Sequence, residues 1–151
     1  MKGPPVLRRI CTPFLFTLII ATGQSMLCAQ SSRSPTDIGI FRSGSWSLDS
    51  NGNGVWDGTP IDQGSSFGQA NDVPIAGDWN GTGTKKIAVF RNGVWLLDIN
   101  GNGQYDTGID PTCYFGQAGD VPVVGDWTGD GRTKIGIFRN GLWILDTNGN
   151  C

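Results

Sequence analysis

The chain contains no histidine and no glutamate, so all 13 of its acids are aspartate. With those residues missing, the usual general bases and base-activated nucleophiles are missing too, and the expectation is a protein that is not an enzyme. Basic residues number only 11, and an acidic balance lacks the basic face that a nucleic-acid binder needs. Phosphate and dinucleotide fingerprints are absent, because the glycine-rich segments do not lead from a strand into a helix. Helical periodicity is absent outside the N-terminal segment, which leaves an all-β fold as the expectation. Cysteine is scarce, at Cys11, Cys28, Cys113 and Cys151.

At the N-terminus, Lys2, Arg8 and Arg9 precede an apolar run from Pro13 to Thr22 that is too short to span a bilayer. Residues 1–29 are read as a secretory signal peptide, cut after Ala29 to leave Gln30 first and no membrane span. A lipoprotein reading through Cys28 is weaker, since Ser25-Met26-Leu27 lacks the small residues that precede a lipidated cysteine. Cleavage removes three of the 11 basic residues and leaves eight against 13 aspartates, a net charge of −5. That acidity suits a secreted or cell-surface protein that meets divalent cations. Cys11 and Cys28 leave with the signal, so Cys113 and Cys151 are a candidate disulfide in an oxidising compartment. Their spacing does not say whether the bond lies within one chain or between two.

Residues 30–37 are polar, contain Pro35 and read as a flexible leader. A repeat then begins. Phe41, Phe90 and Phe138 recur at intervals of 49 and 48 residues, each followed five residues later by Trp46, Trp95 or Trp143. A period of this size marks an array of small units that bury their cores against one another. The units are residues 38–86, residues 87–134 and a partial third at residues 135–151. Each opens with a short apolar strand, IGIF, IAVF or IGIF, and a tight turn at Ser43-Gly44, Asn92-Gly93 or Asn140-Gly141. A Trp-bearing strand follows, at 45–49, 94–98 and 142–146. A third strand is expected near Ser65–Gly68 and Cys113–Gly116, and a fourth over VPIAGDW and VPVVGDW, with Pro74 and Pro122 near its start. Four short strands in such a period is the content of one β-propeller blade. The six tryptophans are mostly core by their regular placement, with Trp56 the exception because it lies in a loop.

The segments GDWNGTGTKKIAVFR and GDWTGDGRTKIGIFR, with LDxNGNGxxD and FGQAGDVPVVGDW, resemble the FG-GAP or VCBS-type repeat, over nearly all of residues 38–151. The resemblance implies propeller blades in a secreted or surface protein, of the kind used in cell adhesion, with loops that often hold calcium. The chain departs from that pattern in repeat number. Two and a half units do not close a propeller of four to eight blades. The expected architecture is therefore a tandem, open array of four-stranded antiparallel blades, completed by oligomerisation or cut from a longer propeller.

The loops Asp49–Asp57 (DSNGNGVWD) and Asp98–Asp106 (DINGNGQYD) place oxygen side chains at positions 1, 3, 5 and 9 with glycine at 6. This is the first part of an EF-hand-like calcium loop, in which alternate oxygens turn inward and the position-7 carbonyl joins them. The candidate ligands are Asp49, Asn51, Asn53, the Val55 carbonyl and Asp57, and likewise Asp98, Asn100, Asn102, the Gln104 carbonyl and Asp106. Asp62 and Asp110 stand as the late carboxylates. Tight-turn chemistry alone explains the Asn, Asp and Gly but does not demand Asp at both positions 1 and 9. Magnesium fits less well, since it prefers a tighter octahedron with retained waters. The third loop carries a half-site at Asp146, Asn148 and Asn150. In the Gly-Asp loops that begin at Asp78 and Asp126, position 9 is Lys86 or Lys134, so an internal Asp–Lys contact is expected in place of a metal.

The function read from these features is an exported calcium-binding structural protein that self-associates as a homo-oligomer or polymer, in a ring, tube or filament. In that reading a neighbouring chain completes the third half-site, and a Cys113–Cys151 bond between chains locks the contact. The rival readings are an adhesion module for a glycan or protein ligand and a fragment of a longer propeller.

Overall fold

The computed structural model describes residues 38–151, so the expected signal peptide and leader lie outside the described residues. Ten short strands form three antiparallel sheets and no helix is present among the described residues, so none there is available to cross a membrane. The first sheet has the order β1 (Gly39–Arg42), β2 (Ser45–Leu48), β3 (Gln63–Ser66). The second is β4 (Val73–Gly77), β5 (Lys86–Arg91), β6 (Val94–Leu97), β7 (Thr112–Tyr114). The third runs β8 (Val121–Gly125), β9 (Lys134–Arg139), β10 (Leu142–Leu145). None of the sheets closes into a barrel.

The sheet boundaries fall one strand earlier than the repeat boundaries. The VPIAG strand does not close the sheet of the hairpin before it; β4 pairs with β5, with Val73 opposite Phe90 and Gly77 opposite Lys86. The segment Phe67–Asp72 carries the chain from one sheet to the next and so belongs to both. Only the middle sheet has four strands among the described residues.

Each hairpin closes on a two-residue turn with both central residues at positive φ, 49° and 91° at Asn92 and Gly93, as the right-handed twist of the flanking strands requires. Gly77 and Gly125 have a different reason. Trp79 and Trp127 fold back over them, and a Cβ there would stand 2.6 or 2.5 Å from the indole ring.

The middle strand β5 is buried on both faces, which accounts for its unbroken apolar run IAVF. Ile87 and Val89 pack with Trp46 and Phe67 of the first sheet. Ala88 and Phe90 pack with Trp79, Trp95, Leu97, Cys113, Ile135 and Ile137, a cluster shared with the third sheet. Buried carboxylates tie the sheets further. Asp72 accepts two hydrogen bonds from Arg91 at 2.5 and 2.7 Å, and Asp120 repeats the pattern with Arg139 at 2.5 and 2.6 Å. Each carboxylate also accepts the N–H of Gln69 or Gln117, which fixes the crossing segment against the sheet it enters. Arg139 holds the Asp120 carboxyl below its ordinary range, while Asp72 and Asp120 raise the already high guanidinium values.

The tryptophans divide unevenly. Trp46 and Trp95 are 6% and 0% exposed, as expected of core residues, and Trp56 is half exposed in its loop. Trp143 is a correction: it is 58% exposed, because no strand among the described residues lies along the outer edge of β10. Cys113 and Cys151 form a disulfide within the chain, with Cα atoms 5.2 Å apart, inside the ordinary range. Of the two connectivities the spacing left open, this is the one within the chain.

Two outcomes follow for stability. Trp95→Ala empties a fully buried site and should cost about 3–5 kcal/mol in chemical denaturation, whereas Trp143→Ala should stay within about 0.5 kcal/mol of the parent. Cys151→Ser opens a loop with a sequence separation of 38 and should cost about 3–4 kcal/mol in the chain-entropy picture.

Candidate functional site

Five loops share one hydrogen-bond frame. In each, an aspartate at the end of a strand accepts the backbone N–H of the residue five positions on. Asp49 accepts from Gly54 at 2.7 Å, Asp78 from Gly83 at 2.6 Å, Asp98 from Gly103 at 2.8 Å, Asp126 from Gly131 at 2.8 Å and Asp146 from Cys151 at 3.1 Å. The donating residue sits at positive φ, which favours glycine at position 6 in four loops and puts Cys151 at φ 62° in the fifth. For Asp126 these amides, that of Gly131 first, hold the carboxyl below its ordinary value.

The two NGN loops gather most of their expected ligands. Asn51 and Asn53 donate their Nδ2 groups to one oxygen of Asp57, at 2.9 and 2.6 Å. Asn100 and Asn102 do the same to Asp106, at 2.8 and 2.6 Å. These amides lower the Asp57 carboxyl below its ordinary range. Val55 and Gln104 give their N–H groups to the side-chain oxygens of Asn53 and Asn102. Asp62 and Asp110 do join the loops, through backbone amides: Asp62 accepts from Ser50 and Asp57, and Asp110 from Ile99 and Asp106. Two of the three carboxylates of each loop are therefore buried and cap backbone amides, while Asp57 or Asp106 pairs with the asparagines. In keeping with that, no three Cys, His, Asp or Glu side chains gather as a metal-binding group among the described residues.

The third loop keeps the same start. Gly149 and Cys151 donate to Asp146, and Asn150 donates to Asn148. Its shape is held from within the chain by the Cys113–Cys151 bond.

The Gly-Asp loops behave as their lysines predict, with one refinement. The Lys86 Nζ lies 4.0 Å from Asp78, and its closer partners are Asn80 at 2.7 Å, Thr82 at 3.0 Å and the Thr84 carbonyl at 3.2 Å. Counted from Asp78, these are positions 1, 3, 5 and 7. An ammonium thus occupies the centre toward which alternate oxygens turn. Lys134 repeats this with Thr128 and Asp130, both at 2.7 Å, and with Asp126 at 3.8 Å. The aliphatic stems of Lys86 and Lys134 pass beneath Gly101 and Gly149 of the neighbouring NGN loops.

Sequence reading missed the Asp72–Arg91 and Asp120–Arg139 clasps. Their signal was available: the same acid and base recur 19 residues apart in register. It was hidden because the repeat boundaries separate each pair.

Asp130 provides a pH test. Its carboxyl is held down at about 2, from 3.8, by the Lys134 ammonium first and then by the Arg132 amide. A depressed carboxyl stabilises above its ordinary value and loses that contribution as pH falls. The advantage of the parent over Lys134→Met in acid denaturation should therefore fade between about pH 4 and pH 2, and in Lys134→Met the Asp130 titration, followed by NMR, should move back toward 3.8. The chain is matched by no known family, by no curated protein and by no solved structure.

Proposed function

We propose that the protein is an exported structural repeat protein whose NGN loops bind calcium and whose copies associate into an extracellular assembly. The observation that carries the calcium reading is the ammonium in the sister loops. Loops built on the same aspartate frame turn the oxygens of positions 1, 3, 5 and 7 around a cation, supplied there by Lys86. In the NGN loops position 9 is Asp57 or Asp106, so the charge at the centre changes sign and an external cation takes the place of the lysine.

The donor set fits calcium. It is made of carboxylates, amide oxygens and a main-chain carbonyl, and hard Ca²⁺ takes six to eight such oxygens in a flexible shell. Asp49, Asn51, Asn53, the Val55 carbonyl, Asp57 and Asp62 hold one ion, and Asp98, Asn100, Asn102, the Gln104 carbonyl, Asp106 and Asp110 hold the other. Binding asks Asn51 and Asn53 to present oxygen where they now present N–H to Asp57. Bound calcium supplies a divalent charge that fastens the loop; the residues supply its shape in advance.

Association is supported by the open edges. Each sheet is read as a propeller-type blade, and β1 and β10 have no outer partner among the described residues. Both leave apolar side chains at the surface, Ile38 and Ile40 at one edge and Leu142 and Trp143 at the other. Head-to-tail contacts through such edges close into a ring or run on as a filament. A second reading, an adhesion module for a glycan or protein, draws on half-exposed Trp56 beside the first NGN loop.

Calorimetry on the full chain tests the calcium reading. One ion per NGN loop is expected, with Asp57→Asn and Asp106→Asn each losing one and Lys86→Asp gaining one. At a hundredfold excess over Kd, calcium should stabilise the fold by about 2.7 kcal/mol per site. Light scattering should show large particles that shrink on chelation. Absence of binding heat together with unchanged stability would sink the calcium reading, and a monomer with and without calcium would sink the assembly.

A further inference from the structure

Trp46, Trp95 and Trp143 stand at one place in three copies of the same frame, and two of the three are covered. Over Trp46 lies the segment that ends β3: the indole Nε1–H donates to the Phe67 carbonyl at 2.9 Å, and the Phe67 N–H donates to the Gly44 carbonyl at 2.9 Å. Over Trp95 lies the end of β7, where the indole donates to the Phe115 carbonyl at 2.9 Å and the Phe115 N–H donates to Gly93 at 2.8 Å. The strand residue opposite each indole is small, Ser65 or Cys113. The turn glycines are pressed against the covering segment, since a Cβ on Gly44 or Gly93 would come within 2.6 or 2.5 Å of the Gly68 or Gly116 carbonyl.

At the third place everything is set but the cover. Trp143 stacks on Phe138 at 5.3 Å and 57°, the arrangement Trp95 holds on Phe90 at 5.0 Å and 59°. The indole is already in its covered orientation. Yet Trp143 is 58% exposed, its N–H has no partner among the described residues, and a Cβ on Gly141 would meet nothing within 4 Å. Leu142 beside it is exposed as well.

We propose that the outer edge of β10 is a binding site for an extended polypeptide segment with the pattern small–x–Phe–Gly–Gln–Ala. The pattern is the one shared by the two segments that fill the equivalent places, Ser65–Ala70 and Cys113–Ala118. The segment adds as an antiparallel fourth strand, with its small residue opposite Trp143 and its Phe N–H on the Gly141 carbonyl. Its Phe carbonyl accepts the Trp143 indole. Main-chain bonds along β10 give affinity, and the indole with the glycine gap gives selectivity. The site goes beyond the calcium reading and does not depend on it.

The test adds a synthetic peptide of residues 62–72, DQGSSFGQAND, to the full chain labelled with ¹⁵N at its tryptophans, with calcium and with chelator. The Trp143 indole resonance, assigned by its loss in Trp143→Ala, should shift on titration and become protected from exchange. A peptide with Phe67→Ala should bind at least tenfold more weakly, and Trp143→Ala protein should lose binding while staying folded. Unmoved indole resonances at millimolar peptide overturn the proposal. So do shifts confined to Trp46 or Trp95, which mean exchange with strands already in place, and so does equal binding of the Phe67→Ala peptide. Copies that associate while the peptide fails to bind overturn the edge site alone and leave the association reading standing.

Discussion

A carboxylate that accepts loop amides is the contact on which the rest of this structure depends. Asp49, Asp78, Asp98, Asp126 and Asp146 each end a strand or follow one, and each gathers the N–H groups of the next few residues. Without them the glycine-rich loops would have no internal partner for their backbone donors, and their many accessible conformations would oppose folding. Once closed, the loops of Asp49, Asp78, Asp98 and Asp126 each return the chain to the sheet it left. Three of them, Asp49, Asp98 and Asp146, also give their own N–H groups across the hairpin, to the carbonyls of Ile38, Ile87 and Ile135.

A common frame also explains how one loop type can serve two ends. The frame fixes the outer shell, and position 9 decides the centre. A lysine there brings its own positive charge. An aspartate there gathers two asparagine amides and adds negative charge to the ring of oxygens. Lys134 is 6% exposed, so its ammonium is well shielded from water, and the hydroxyl and carboxylate around it are what make that burial tolerable. The lysine loops and the NGN loops lie side by side, with the lysine stem beneath the neighbouring glycine, so both kinds of centre sit along one edge of the array.

The repeat, the strands and the turns were legible in the sequence because their signals are local. Asn-Gly between two apolar runs specifies its turn by backbone conformation alone, and the alternation of small and large residues in IGIF and IAVF marks strands. The Asp–Lys exchange was legible too, since charge at position 9 can be counted. The pairing of β4 with the following hairpin was not legible, because nothing local distinguishes a strand that ends one sheet from one that begins the next. The arginine clasp that decides it joins residues 19 apart. Regular placement marks Trp143 as core on the same grounds as Trp95, and the difference between them lies wholly in the neighbouring strand. For the NGN loops, the order of oxygen-bearing residues was readable, but the use of Asp62 and Asp110 as backbone caps depends on how the loop folds.

The two-sided burial of β5 has a consequence for how the molecule opens. A strand whose alternate residues belong to separate clusters loses half its cover when either neighbouring sheet departs, and cannot be reached until one does. Repeats that touch only their neighbours behave as a linear chain of coupled units, so opening proceeds from the outer sheets inward. Amide hydrogens of Ile87 to Phe90 should therefore exchange with solvent last, at the free energy of global unfolding.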